Sequence, residues 1–121
     1  MNHALLYIED DENNIALIEA VLRRRPEVEL HVAMNGRDGV RAAIDLRPAL
    51  ILLDNRLPDT TGGKILQELT SSSATAAIPV VILTGDSEKV IDELLASGAA
   101  ESVAKPFSFR QFLEIIDRYL T

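Results

Sequence analysis

Short, wholly apolar runs alternate with stretches of helical period along the chain. Leu5-Leu6-Tyr7-Ile8, Leu50-Ile51-Leu52-Leu53 and Val80-Val81-Ile82-Leu83 each read as a strand buried on both faces of a parallel sheet. Val28-Glu29-Leu30-His31-Val32 alternates apolar and polar, which predicts an edge strand with one wet face. Ser102-Val103-Ala104 is a shorter fifth segment. The predicted strands cover about 4–9, 28–32, 49–54, 80–84 and 101–104. Helices are predicted between and after them, over about 13–25, 37–47, 62–71, 87–97 and 108–120. Ile15, Ile18 and Leu22 recur at helical spacing beside Leu17 and Val21, and Phe109, Phe112, Leu113, Ile116 and Leu120 form one stripe on the last helix. Pro26, Pro48 and Gly98 follow helix ends, Pro79 opens the fourth strand, and Asn35-Gly36 marks a turn. The only low-complexity stretch, Ser71 to Ala77, reads as a helix end and loop. Five strand–helix units in this order imply an α/β fold with a five-stranded, doubly wound parallel sheet and five helices.

Composition narrows the class. At 121 residues the chain fits one domain with a real core, and 47% apolar residues make it globular rather than disordered. It has no cysteine, which excludes disulfides and thiolate metal sites and suits a reducing cytoplasm. No apolar stretch approaches the roughly 20 residues of a membrane span. Met1-Asn2-His3 does not open a signal pattern. A net charge of −7 argues against binding a nucleic-acid backbone, and five aromatics are too few for a base-stacking platform.

The polar residues that close the apolar runs carry the chemistry. Asp54 closes the third strand, Glu9-Asp10-Asp11 follow the first, Thr84 ends the fourth, and Lys105-Pro106 follow the fifth. In an open parallel sheet the C-terminal strand ends gather at one edge, where sites form. The edge therefore collects acids, a hydroxyl and a cation. Clustered carboxylates repel one another, and a divalent cation removes that cost. A carboxylate can also take a phosphoryl group as an acyl phosphate, provided positive charge offsets the approach of two anions.

Taken together and in order, Tyr7-Ile8-Glu9-Asp10-Asp11, Leu52-Leu53-Asp54-Asn55-Arg56-Leu57-Pro58, Gly62, Leu83-Thr84-Gly85 and Ala104-Lys105-Pro106-Phe107 resemble the response-regulator receiver domain (CheY-like) over the whole chain. The resemblance implies a single receiver domain over 1–121 with the flavodoxin-like strand order 2-1-3-4-5. It implies that Asp54 is the phosphorylated residue and that the cofactor is Mg²⁺. Asp10, Asp54 and the backbone carbonyl of Arg56 would hold the metal, with Glu9 acting through a metal-bound water. Lys105 would pair with Asp54 at rest and with a phosphoryl oxygen afterwards, and Thr84 would donate to another phosphoryl oxygen. A cis Lys105-Pro106 peptide is implied as well. The resemblance further implies a histidine kinase or histidine phosphotransfer protein as phosphodonor, and a domain that catalyses only its own phosphorylation and dephosphorylation. Asp11 and Glu12 read as a helix N-terminal acidic turn, Asp59 as a turn residue, and His3 and His31 as surface side chains.

The chain departs from the family at two places. Ser102 stands where the family often has an aromatic, three residues before the lysine, so the expectation is either output through Thr84, the Gly85-Asp86-Ser87 loop and the fourth helix, or a weak switch. Thr61 stands where an acid often precedes the loop glycine. Arg56 and Asp86 occupy the positions that tune phosphoryl lifetime, and are expected to pair over the phosphoryl group. Ile115 and Tyr119, four apart on the last helix, are expected to form an exposed patch near the fourth helix for a homodimer or downstream partner. No output module is expected in this chain, which would be a stand-alone regulator or part of a hybrid kinase. The rivals are a phosphorylation-independent pseudo-receiver, an aspartate phosphatase and a flavin or nucleotide binder. The phosphatase needs a second acid where Arg56 stands, and the nucleotide binder needs a phosphate-cradling loop where Glu9-Asp10-Asp11 stand.

Overall fold

The computed structural model describes residues 2–120, so Met1 and Thr121, the two ends of the expected 1–121 span, lie outside the described residues. The elements are β1 (Ala4–Ile8), α1 (Glu12–Leu22), β2 (Glu29–Ala33), α2 (Gly36–Leu46), β3 (Leu50–Asp54), α3 (Gly62–Ser71), β4 (Val80–Thr84), α4 (Glu88–Ala96), β5 (Glu101–Ala104) and α5 (Phe109–Leu120). The sheet order is β2-β1-β3-β4-β5, with every neighbouring pair parallel. The flavodoxin-like order is therefore present, and β2 lies at an edge as its alternation predicts.

Both faces of β1, β3 and β4 are covered, which is why these strands are apolar up to the Asp54 and Thr84 that close β3 and β4. Leu5, Tyr7, Leu52 and Leu83 pack with Ile18 and Val21 of α1 and with Phe112 and Ile116 of α5. The alternate residues Leu6, Ile8, Leu53 and Ile82 pack with Ala43 of α2, Ile65 and Leu66 of α3, and Leu94 of α4. Each such side chain contributes about 1.5–3 kcal/mol on burial. The strand ends are thereby fixed, and with them the groups that follow.

Local chemistry sets the helix ends. Asp11 caps α1, its Oδ1 accepting from the amides of Asn13 (2.8 Å) and Asn14 (3.3 Å). The helix ends at Leu22 rather than near residue 25, because Arg24 and Arg25 donate to carbonyls three residues back and tighten the last turn before Pro26. Ser108 and Gln111 cap α5 reciprocally at 3.1 and 2.8 Å. Asn35-Gly36 is a helix start rather than a turn: Asn35 caps α2 by accepting from the Asp38 amide at 2.8 Å. A Cβ on Gly36 would lie 2.3 Å from Thr60 Cγ2, so the loop after β3 presses directly on this helix. Asp59 does more than turn its own loop. Its two oxygens accept from the amides of Gly36 (2.8 Å) and Arg37 (3.0 Å), and these bonds hold its carboxyl below the usual range.

The surface differs from expectation on α5. Ile115 is only 5% exposed and belongs to the α1/α5 core, so the exposed Ile–Tyr patch does not exist. Tyr119 is half-buried and donates its hydroxyl to Glu101, which also pairs with Arg118. Phe109, expected on the buried stripe, is 45% exposed, with the Arg24 guanidinium 5.3 Å from its ring centroid. Leu17 is likewise exposed. His3 is half-buried, its Nδ1 2.9 Å from the Leu120 carbonyl oxygen, and His31 is half-buried beside Glu29. The two-faced pattern of β2 is thus incomplete: His31 on the expected wet face is half-buried, while Val32 on the opposite face is exposed. Among the described residues, no helix is long and apolar enough to cross a membrane.

Candidate functional site

The register places the functional groups at one edge. Ile8 lies opposite Leu53, Asp54 opposite Leu83, and Thr84 opposite Ala104. Glu9-Asp10, Asp54, Thr84 and Lys105 all emerge at the C-terminal ends of these strands. One carboxylate oxygen from each of Glu9, Asp10 and Asp54 lies within 4.8 Å of the others. Glu9 and Asp54 are buried and Asp10 is exposed. Lys105 Nζ donates to Asp54 Oδ1 at 2.6 Å, the resting pair that the family resemblance implies. The Lys105–Pro106 peptide is cis.

Glu9 is the strained member of the group. Asn14 Nδ2 (2.7 Å) and the Tyr7 hydroxyl (3.3 Å) both donate to its Oε1. Its Oε2 is buried without a partner. Burial, with Asp54 adding to it, pushes the Glu9 carboxyl up to about 7, while the Asn14 hydrogen bond opposes the shift. Burial and then Glu9 also raise the Tyr7 hydroxyl. An all-oxygen cluster containing one orphaned buried oxygen suits a small, hard divalent cation.

A second group adjoins the first. Thr84 Oγ donates to Asp86 Oδ2 at 2.6 Å and accepts from the Asp86 amide at 3.0 Å. Asn55 Nδ2 donates to the same Oδ2 at 2.6 Å, and an Arg56 guanidinium nitrogen donates to Oδ1 at 2.9 Å. The Thr84 hydroxyl first, then Arg56 and Asn55, hold Asp86 down at about 2. The expected Arg56–Asp86 pair is present, but only Arg56 is exposed: the side chains are 83% and 16% exposed. Gly62 lets α3 start against this loop, since a Cβ there would lie 2.7 Å from Asn55 Oδ1. Thr61, at the place of the family's acid, caps α3 by accepting from the Lys64 amide.

Sequence reasoning did not identify Asn14, Asn55 or the Tyr7 hydroxyl as site groups. Tyr7 stands two residues before Glu9, hence on the same face of the strand, and that spacing is a readable signal. Asn55 follows Asp54 directly. The Asn14 contact depends on how α1 leaves the sheet, which no local pattern encodes.

The family model of the response regulator receiver domain matches residues 5–117. The chain belongs to this family. It is a signalling module of two-component systems rather than a conventional enzyme. It is 32% identical to the regulatory protein AtoC of Escherichia coli (strain K12), over 95% of this chain and 25% of that protein. The chain therefore spans about a quarter of AtoC. It is 29% identical to the polar-differentiation response regulator DivK of Brucella anthropi, over 99% of this chain and 98% of that protein. The receiver domain of sensor histidine kinase PA1611 from Pseudomonas aeruginosa PAO1 superposes with a TM-score of 0.86 at 28% identity, covering 99% of this chain and 98% of that one. That structure has a magnesium ion coordinated in its active-site cleft.

Proposed function

We propose that residues 1–121 act as one receiver domain that accepts a phosphoryl group on Asp54 from a histidine kinase or histidine phosphotransfer protein. The observation that carries this reading is the 2.6 Å pair between Lys105 Nζ and Asp54, set beside the carboxylates of Glu9 and Asp10. Asp10, Asp54 and the Arg56 backbone carbonyl would hold Mg²⁺, with Glu9 acting through a metal-bound water. Bound there, the cation supplies the positive charge that lets an anionic carboxylate meet an anionic phosphoryl group.

An Asp54 oxygen attacks phosphorus. The new O–P bond forms as the donor's P–N bond breaks; the bonding pair stays on the donor imidazole nitrogen, and a proton from solvent leaves the donor as neutral histidine. The product is an acyl phosphate. Lys105 moves its hydrogen bond from Asp54 to a phosphoryl oxygen, and the Thr84 hydroxyl donates to another. Arg56, paired with Asp86 at the mouth of the site, limits access of the hydrolytic water. The domain thus catalyses only its own phosphorylation and dephosphorylation. The altered β4–α4 loop shifts the population of a surface that involves α4 and α5, which meets a homodimer partner or a downstream protein. A cytoplasmic location agrees with a chain that has no cysteine. A phosphorylation-independent pseudo-receiver is not favoured, since Lys105 pairs with Asp54 beside the carboxylates of Glu9 and Asp10.

The test is intact mass after incubation with acetyl phosphate, with and without Mg²⁺, on wild type and Asp54→Asn. One phosphoryl adduct that needs both Asp54 and Mg²⁺ is expected. An adduct that survives Asp54→Asn, or no adduct in wild type even with a histidine phosphodonor, would sink the reading.

A further inference from the structure

A hydroxyl has one proton to donate, and in this structure Thr84 has already committed its own. The Thr84 Oγ is buried and donates to Asp86 Oδ2 at 2.6 Å. Asp86 is a strong acceptor here: a mostly buried carboxylate that also collects Asn55 (2.6 Å) and Arg56 (2.9 Å). The contact is closed from both sides, because the Asp86 amide donates back to Thr84 Oγ at 3.0 Å.

The geometry points to Asp86 as a positioning residue that competes with the phosphoryl group on Asp54 for the single proton of Thr84, and so holds the resting state closed. This rests on the reading of Asp54 as phosphoacceptor. Phosphorylation brings to Asp54 phosphoryl oxygens that share close to two negative charges, and Thr84 turns to these stronger acceptors. Asp86 then keeps Arg56 and Asn55 but loses Thr84, and the 84–86 turn loses both of its cross-bonds. Beside the backbone bond from the Ile91 amide to the Ser87 carbonyl (3.0 Å), little else holds the loop to α4. A Cβ at Gly85 would meet nothing within 4 Å, and Ser87, the N-cap of α4, makes no side-chain cap bond. Loss of the Thr84 bonds therefore leaves residues 85–87, which lead into α4, with Asn55 and Arg56 on Asp86 as their side-chain tethers. The device needs no aromatic at Ser102, one of the two positions where this chain departs from its family.

The experiment is the initial rate of adduct formation with acetyl phosphate and Mg²⁺, followed by intact mass, for wild type, Asp86→Ala, Asp86→Asn, Thr84→Val and the Asp86→Ala/Thr84→Val double variant. In this assay an Asp54 oxygen bonds to phosphorus as the P–O bond to the acetyl group breaks, and acetate leaves with the electron pair. A charge-assisted hydrogen bond released before the transition state should speed Asp86→Ala about fivefold to tenfold over wild type. Asp86→Asn, which keeps an acceptor for Thr84, should stay nearer wild type. In the Thr84→Val background Asp86→Ala should give no gain, because the proton being contested is gone. If Asp86→Ala is no faster, the competition does not exist. If it is equally faster with and without Thr84, its effect is relief of charge repulsion on the anionic donor, and the positioning role is overturned. Wild type that takes the phosphoryl group while these rates fail overturns this inference alone; wild type that never takes one overturns both this inference and the receiver reading.

Discussion

Glu9→Gln should stabilise the metal-free chain above neutral pH and remove most of its response to Mg²⁺. Glu9 is fully buried, its Oε2 has no hydrogen-bond partner, and it shares a 4.8 Å cluster with Asp10 and Asp54. Its carboxyl is pushed from the ordinary 4.5 to about 7. At about 1.4 kcal/mol for each pKa unit, that gap is a cost of about 3 kcal/mol for holding Glu9 ionised in the folded chain. The folded state keeps its proton to higher pH than the unfolded state does. Below about pH 4.5 Glu9 is neutral in both states and costs nothing; its contribution falls as pH rises toward about 7, and above that the whole cost is present. Glutamine has the same shape and no charge. Its carbonyl can still accept from Asn14, and its amide can donate to a neighbouring carboxylate. Urea unfolding in chelator at about pH 5 and about pH 8 should show wild type losing about 2 to 3 kcal/mol more than the variant across that range, because part of the cost is already present at pH 5. Millimolar Mg²⁺ at the higher pH should restore wild type and leave Glu9→Gln nearly unchanged. Equal pH dependence in the two proteins, or an equal Mg²⁺ response, would refute the idea that this buried acid is built for a cation.

Two further outcomes are expected. Arg56→Ala should shorten the lifetime of the Asp54 adduct by roughly two- to fivefold, a modest factor because an exposed ion pair is weak; an unchanged dephosphorylation rate would remove Arg56 from the tuning role. Gly36→Ala should destabilise the chain by about 1–3 kcal/mol in thermal or urea unfolding, since its Cβ would lie 2.3 Å from Thr60 and displace the loop that Asp59 bonds to α2. A neutral result there would mean that the β3–α3 loop is not pressed against α2 in solution.

How much of this the sequence reveals depends on what each feature draws on. β1, β3 and β4 are legible because burial on both faces leaves a continuous apolar run, and a polar residue ending such a run can only emerge at the sheet edge. That is why Glu9, Asp54 and Thr84 can be placed together before any coordinates. The helix stripe on α5 is less legible, because several sets of apolar residues fit helical spacing. The buried set is Phe112, Ile115, Ile116 and Leu120, with Tyr119 packed against it. It follows the i, i+3, i+4, i+7, i+8 rule from Phe112, whereas counting from Phe109 starts the stripe one turn too early and leaves Ile115 outside. The Asp86 group is least legible of all. Its three side-chain donors come from Asn55, Arg56 and Thr84, on two different strand ends, and nothing in either segment says that one carboxylate will serve all three. Strand ends can be aligned from pattern alone, but the choice of which acceptor takes a hydroxyl proton is made by distances of a few tenths of an ångström, and those arise only once the two loops are packed together. The switch in this domain rests on that choice, so the residue that sets the resting state is the one a sequence pattern is least able to show.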